Sequence, residues 1–148
     1  QAFTGDKVNQ VVLGAFVAGT NAGMIYNTFP LMDGGFAPSD LLLLEPWWRN
    51  PLENVATIQF DHRWAAMLTA AAIFWLWLRG RAAPLEAGQA RALDWLALLA
   101  ATQIALGVAT LLTVVWIPLA ALHQATALLL FLAAVWTVWS FRGHAPSP

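Results

Sequence analysis

The chain has 148 residues, of which 59% are apolar and 10% are charged, whereas soluble domains average about 45–50% apolar and about 25% charged residues. This composition excludes an ordinary water-soluble domain. Seven Lys and Arg residues against eight Asp and Glu residues give a net charge of -1, so the basic footprint of a nucleic-acid-binding protein is missing. The lack of Cys excludes disulfides, thiolate metal sites and a cysteine nucleophile. We therefore expect an integral membrane protein, surrounded by lipid, that binds no nucleic acid.

Four apolar stretches are long enough to cross a membrane, because a helix rises ~1.5 Å per residue and the hydrocarbon layer is ~30 Å thick. The predicted spans are about 8–25, 54–78, 92–114 and 119–141, with an outer loop at 26–53. The first span is the weakest, because polar residues fill its first turns. The sequence predicts an all-α fold in which residues 1–148 form a single four-helix transmembrane bundle. Since the chain does not begin with Met, we expect it to be part of a longer protein.

The distribution of basic residues predicts the orientation of these spans. Three Arg residues lie between the second and third spans, Arg142 follows the fourth, and Lys7 precedes the first. The opposite side carries four acidic residues and a single cation, Arg49, which we interpret as an ordinary loop residue. By the positive-inside rule, the N- and C-termini both face the cytoplasm or the matrix.

Five polar residues fall inside predicted spans, where each needs a reason because an unsatisfied polar group in hydrocarbon costs several kcal/mol. They are Asp61, His62, Arg63, Gln103 and His123. His62 precedes Arg79 by 17 residues and His123 precedes Arg142 by 19, so both histidines lie roughly 25–29 Å from the inner boundary.

Spans two and four, which carry the two histidines, are diagonal partners in an up-down bundle, roughly 11–14 Å apart. That separation leaves room for a flat macrocycle between two axial imidazoles, as in a bis-histidine haem. Each histidine is equally well explained as an interfacial residue bonded to a loop, and matching depth alone leaves both interpretations open.

The other polar residues have structural interpretations beside the functional ones. Arg63 is a candidate partner for a haem propionate or a snorkelling side chain. Asp61 either orients an imidazole or faces water, and Gln103 is more often a hydrogen-bonding link between helices than a cofactor contact. His144 lies in the tail at the opposite end, and we give it no role.

Three blocks of sequence carry a resemblance to a known family: GAFVAGTNAGMIYNTFPLMDGG at 14–35, EPWWRNPLENVATIQFDHR at 45–63, and LGVATLL at 106–112 with LAALHQAT at 119–126. They resemble the heme A synthases, which act on the haem of aerobic terminal oxidases. Family members have eight helices in two similar four-helix halves, and the PLMDG sequence resembles that of the C-terminal half. The resemblance implies that His62 and His123 are the axial iron ligands of a haem b (protohaem IX).

The resemblance also implies an activity for the whole enzyme, which oxidises the C8 methyl group of haem O to a formyl group to make haem A. Haem O is expected in the other half, whose Glu-x-x-His-Arg motif carries a catalytic Glu. Here the matching position is Gln59, so the catalytic residues are unknown in this chain, and we expect this half to relay electrons.

Further implications concern partners and location. The expected partners are the N-terminal half of the enzyme, haem O synthase, an electron donor and a second copy in an oligomer. We expect the protein in the bacterial inner membrane, and the mitochondrial inner membrane is the less favoured location. The alternative is a non-enzymatic membrane cytochrome b that only transfers electrons, and a cofactor-free scaffold is the least favoured interpretation.

Overall fold

The structure is a computed structural model that describes residues 14, 17 and 19–142. Apart from one isolated β-bridge, the regular elements of this described part are helices. A short helix α1 (Asn50–Glu53) leads into three long helices, α2 (Val55–Arg81), α3 (Ala87–Leu112) and α4 (Ile117–Ser140), and 3-10 turns occur at Ala22–Met24 and Trp47–Arg49.

The long helices coincide with the second, third and fourth predicted spans but differ at their ends. α3 begins inside the predicted basic connection, because Glu86 and Gln89 form a capping box: each side chain accepts a hydrogen bond from the other residue's backbone N–H. Such a box satisfies N–H groups that a helix start leaves unpaired. At the start of α2 the side chain of Asn54 accepts hydrogen bonds from Ala56 N at 3.0 Å and Thr57 N at 3.2 Å.

Half of the first predicted span, about 8–25, lies outside the described residues, and Lys7 and His144 lie outside them as well. Gly14, Val17 and Gly19 are helical, and the chain leaves the helix at Thr20. The helix thus ends earlier than predicted, because Asn21 takes the left-handed conformation with φ 55° before the 3-10 turn. Asn tolerates this conformation better than most residues with a side chain.

Of the helices within 19–142, α3 and α4 are long and apolar enough to cross a membrane by length and composition. α2, which carries the polar residues Gln59, Asp61, His62 and Arg63 near its start, is not among them. The four-span arrangement and the orientation of the termini therefore stay predictions.

α3 packs extensively against α4 and less extensively against α2, while α2 and α4 make little direct contact. The core at these contacts consists of Ile73, Leu96, Ala100, Ala133 and Ala134. Alanines on facing helices let the backbones approach closely, as in many membrane helix pairs. α3 therefore sets the spacing between α2 and α4, the helices that carry the two predicted ligands.

Candidate functional site

The two candidate ligands, His62 and His123, lie at the same end of the helices. His62 is near the start of α2 and His123 is near the start of α4, and both are half-buried. Both helices pack against α3. The structure thus places the two histidines at one end, and their role as iron ligands stays a prediction. We call this region the histidine end.

Each imidazole lies against the backbone of a glycine. A Cβ atom at Gly14 would be 3.6 Å from Cε1 of His62. A Cβ atom at Gly107 in α3 would be 3.0 Å from Cε1 of His123, 3.5 Å from Nδ1 and 3.6 Å from Nε2. A side chain at position 107 would therefore press on the ring of His123, and the backbone of α3 forms one wall of that histidine's pocket.

Gln103 lies one turn before Gly107 on α3 and reaches the same ring. Its amide Nε2 is 3.4 Å from Nε2 of His123. Two buried atoms in this pair, Gln103 Oε1 and His123 Nδ1, have no hydrogen-bond partner. Gln103 therefore links α3 to α4, as the sequence favoured, and does so through a candidate ligand.

Arg63 donates to backbone carbonyls of the outer loop. Its Nη1 lies 2.9 Å from the carbonyl oxygen of Thr28 and 3.5 Å from that of Leu31, and its Nη2 donates to the carbonyl of Tyr26. Its Nε is buried without a hydrogen-bond partner. The guanidinium thus holds the loop, and the predicted propionate contact stays a prediction.

Asp61 is half-buried and has no hydrogen bond or ion pair with another described residue. Its predicted role in orienting an imidazole stays a prediction.

Gln59 is a second attachment point that the sequence did not reveal. The residue is 2% exposed, and its amide Nε2 donates to the carbonyl of Ile25 at 2.7 Å. Its Oε1 is buried with no hydrogen-bond partner. Gln59 and Arg63 are one helical turn apart, which puts them on the same face of α2. We call these two residues the loop-anchoring pair, because together they hold the start of the loop against α2 beside His62.

Two asparagines attach the later part of the loop. The Nδ2 of Asn54 donates to the carbonyl of Asp40 at 2.9 Å. Asn50 is fully buried, and its side chain accepts from Leu44 N at 2.9 Å and donates to Leu44 O and Trp47 O at 2.8 Å each. An Asn before an apolar run is a recognised signal for a helix start, so the role of Asn54 as a cap was readable from sequence. The role of Asn50 had no such signal.

Hydrogen bonds also shift two ionisable groups in the loop. The Tyr26 hydroxyl donates to Asp40, and this contact with a carboxylate raises the pKa of Tyr26 to about 12. Arg49 donates to Glu53 through Nε at 3.1 Å and lowers the pKa of that carboxyl group. The Arg49–Glu53 pair is open to solvent and contributes little to stability.

The opposite end of the helices carries arginine and tryptophan. Asp94 accepts from Trp77 Nε1 at 2.7 Å and lies 3.6 Å from Arg81, and Arg81 lies 5.7 Å from the centre of the Trp77 ring. A cavity of about 280 Å³ between α2 and α3 includes these residues and no histidine. Within the described part of the chain, no three His, Asp or Glu side chains gather to hold a bare metal ion. The histidine end is therefore the candidate site.

Comparison with known proteins assigns the family. The profile of the COX15-CtaA family, described as cytochrome oxidase assembly protein, matches residues 4–135. No solved structure matches the chain significantly.

Several curated relatives that this chain resembles are named heme A synthases. The protein from Nitrosospira multiformis is 53% identical over 132 residues, covering 89% of this chain and 37% of the relative. The protein from Rhodospirillum centenum is 47% identical over 136 residues, covering 89% and 35%, and the human heme A synthase COX15 is 43% identical over 129 residues, covering 87% and 32%. The chain spans about a third of the length of these relatives. It belongs to the heme A synthase family.

Proposed function

We propose that this chain is a haem b-binding portion of a heme A synthase and acts in heme A biosynthesis for cytochrome oxidase. The relatives' names support the pathway. Because the chain spans little more than a third of those relatives, the activity belongs to the longer protein. The observation that carries the haem assignment is that His62 and His123 lie near the starts of α2 and α4, at the same end of two helices that both pack against α3.

The residues at the histidine end fit a haem. Porphyrin supplies four of the iron's ligands, so two axial imidazoles complete the set, and a bare metal ion would need more protein ligands than are gathered here. The missing side chains of Gly14 and Gly107 leave room for the two imidazoles. Nδ1 of His123 is buried without a partner, which indicates a pocket whose polar groups are not fully satisfied by the protein alone. A haem held in this way supplies reversible one-electron transfer.

The chain's own residues support an electron-relay role. Gln59, at the position of the family's catalytic Glu, has no ionisable carboxyl group, and its amide is used to hold the loop. Asp61 is two residues after Gln59, so its side chain points about 200° further round the helix and does not replace that Glu. We therefore assign the oxidation of haem O to the other half of the enzyme, with electrons supplied by a separate donor.

The setting follows from the family. We propose a bacterial inner membrane location, with lipid around α3 and α4, the N-terminal half as the immediate partner and haem O synthase as the source of substrate. A membrane cytochrome b that only transfers electrons would use the same pair of histidines. The two functions separate when the longer protein is given haem O, because only the synthase produces haem A.

Absorption spectroscopy of the purified chain tests the haem site. We expect one low-spin b-type haem per chain in a reduced-minus-oxidised spectrum, with the stoichiometry from a pyridine haemochrome assay. His62→Ala and His123→Ala should each lose the haem or turn it high-spin, because each removes one axial ligand. His144→Ala is the matched control and should keep the wild-type spectrum. A stable chain that takes up no haem, or that keeps a low-spin haem in both variants, would contradict the proposed site.

A further inference from the structure

The cavity at the end opposite the histidines combines a cation with aromatic and apolar walls. It lies between the end of α2 and the start of α3, has a volume of about 280 Å³, and is lined among others by Trp77, Arg81, Leu93 and Asp94. The side chains of Arg81 and Asp94 are 64% and 48% exposed, so its charged groups can be reached from outside the protein. We call it the α2–α3 cavity.

The α2–α3 cavity lies at the level where the uncharged part of α3 begins. After Asp94, α3 carries no charged residue up to its end at Leu112, and it is one of the two described helices apolar enough to cross a membrane. Trp95 of α3 and Trp139 of α4 are exposed near the same end, and tryptophan is enriched at the boundary between hydrocarbon and headgroups. A ligand in the α2–α3 cavity is therefore at the depth of lipid headgroups.

Trp77 holds the guanidinium of Arg81 at that depth. The Cζ atom of Arg81 is 5.7 Å from the centre of the indole ring, which belongs to the residue one helical turn earlier. The anion facing Arg81 is Asp94, which accepts from Trp77 Nε1 at 2.7 Å and lies 3.6 Å from the guanidinium. An exposed ion pair of this kind contributes little to stability. A guanidinium has five N–H donors and matches phosphate geometry, so Arg81 can take a phosphate without losing a strong contact.

The charge of this end favours an anionic ligand. Between residues 79 and 94 and after α4, four arginines stand against two acidic residues: Arg79, Arg81, Arg91 and Arg142 against Glu86 and Asp94. The predicted orientation puts this end in the cytoplasmic leaflet, which carries anionic lipids, and basic pockets between helices on that side bind their headgroups.

The surface of α3 next to the α2–α3 cavity favours a lipid over a soluble anion. Leu98 lies one turn after Asp94, on the same face of α3, and is 55% exposed. An acyl chain attached to a headgroup in the cavity therefore has an apolar surface to follow. A soluble phosphate compound would gain nothing from that surface.

We propose that the α2–α3 cavity binds the headgroup of an anionic phospholipid, with the lipid phosphate on the guanidinium of Arg81 and an acyl chain along α3 past Leu98. The site lies at the opposite end of the helices from the histidines, and the inference does not depend on the haem site.

Lipid binding to the chain in mild detergent, counted by native mass spectrometry, tests the site. We expect the first phosphatidylglycerol to bind the wild type about fivefold more tightly than the first phosphatidylcholine, which corresponds to ~1 kcal/mol for one arginine near anionic lipid. Arg81→Gln changes an exposed side chain and should bind the two lipids equally. A wild type without this preference, or an Arg81→Gln chain that keeps it, would overturn the proposal.

Arg79→Gln is the matched control. Arg79 lies 5.6 Å from the centre of the Trp75 ring, so it repeats the arrangement of Arg81 on Trp77. It is two residues away and therefore points to a different side of α2, and it does not line the α2–α3 cavity. Arg79→Gln should keep the preference for phosphatidylglycerol. An equal loss in both variants would show general attraction to positive charge and overturn the site.

Two further measurements separate the cavity from the charge and the lipid from a soluble anion. Ala90 lines the α2–α3 cavity, so Ala90→Phe fills it while keeping Arg81 and should abolish the preference; a retained preference would overturn the cavity as the site. Glycerol 3-phosphate, a phosphate headgroup without acyl chains, should not displace bound phosphatidylglycerol when present in 100-fold excess. Displacement would show that the site takes a soluble phosphate compound and would overturn the lipid assignment.

Discussion

Replacing Gly107 with Ala tests how tightly the helix backbone encloses His123. The added Cβ would lie 3.0 Å from Cε1 of the ring, several tenths of an ångström inside ordinary contact distance, so the ring or the helix must shift. Overpacking of this kind costs about 1–3 kcal/mol, and the better helix propensity of Ala returns up to ~1 kcal/mol. The expected net change is a loss of roughly 0–2 kcal/mol in the free energy of unfolding.

Gly88→Ala gives the propensity gain without the crowding. Gly88 lies in the first turn of α3, and a Cβ there meets nothing within 4 Å, so this variant should be as stable as the wild type or slightly more stable. The difference between the two variants isolates the crowding, about 1–3 kcal/mol. At roughly 2–4 °C per kcal/mol for a chain of this size, thermal unfolding in detergent followed by circular dichroism should separate their midpoints by several degrees.

A double-mutant cycle identifies the neighbour responsible for the cost. In a His123→Ala background the ring is absent, so Gly107→Ala should no longer be destabilising and should show only the propensity gain. The expected coupling energy between the two positions equals the crowding, about 1–3 kcal/mol. Additive effects of the two substitutions would refute the contact between the helix backbone and the imidazole.

Three further changes test other parts of the structure. Asn54→Ala removes the cap of α2 and a hydrogen bond to the loop, so the free energy of unfolding should fall by about 1–3 kcal/mol in thermal unfolding; Asn54→Asp keeps the cap acceptor and should lose less. Val114 is a β-branched residue in the left-handed conformation, with φ 51° and 56% exposure, so Val114→Gly should raise the unfolding free energy by ~1 kcal/mol, and Val114→Ala should raise it less. Tyr26 is the only tyrosine, and its hydrogen bond to Asp40 raises its pKa from 10.0 to about 12 in the folded chain. The stabilisation that this hydrogen bond provides is therefore fully present below pH 10 and is lost as the pH rises through 12. Ultraviolet titration should show one tyrosine ionising near pH 12, and Asp40→Asn should move that midpoint towards 10.

The three long helices and the matching depth of the two histidines could be predicted, because both follow from counting residues along the sequence. Apolar length predicted α2, α3 and α4, and counting residues from the flanking arginines placed His62 and His123 at matching depth. The early start of α3 was also readable, since Glu86 and Gln89 have the spacing of a capping box, and this signal was missed.

The path of the outer loop could not be predicted, because it depends on individual backbone conformations. Tyr26 and Leu42 have φ values of 50° and 59°, which L-residues adopt only when the surrounding structure holds them there. The roles of Gln59 and Arg63 depend on that path, since both side chains donate to carbonyl groups that the loop brings to α2. A pattern of residue types carries no information about which carbonyl will face a given side chain.

The loop-anchoring pair binds main-chain oxygens, and a main-chain oxygen is the same for every amino acid. The stretch from Ile25 to Leu31 can therefore change many of its side chains while Gln59 and Arg63 keep all their acceptors. Inserting or deleting one residue in that stretch is different, because it would move several carbonyl groups out of position together. The stretch beside His62 can therefore vary in amino-acid sequence, whereas a change in its length would break these hydrogen bonds.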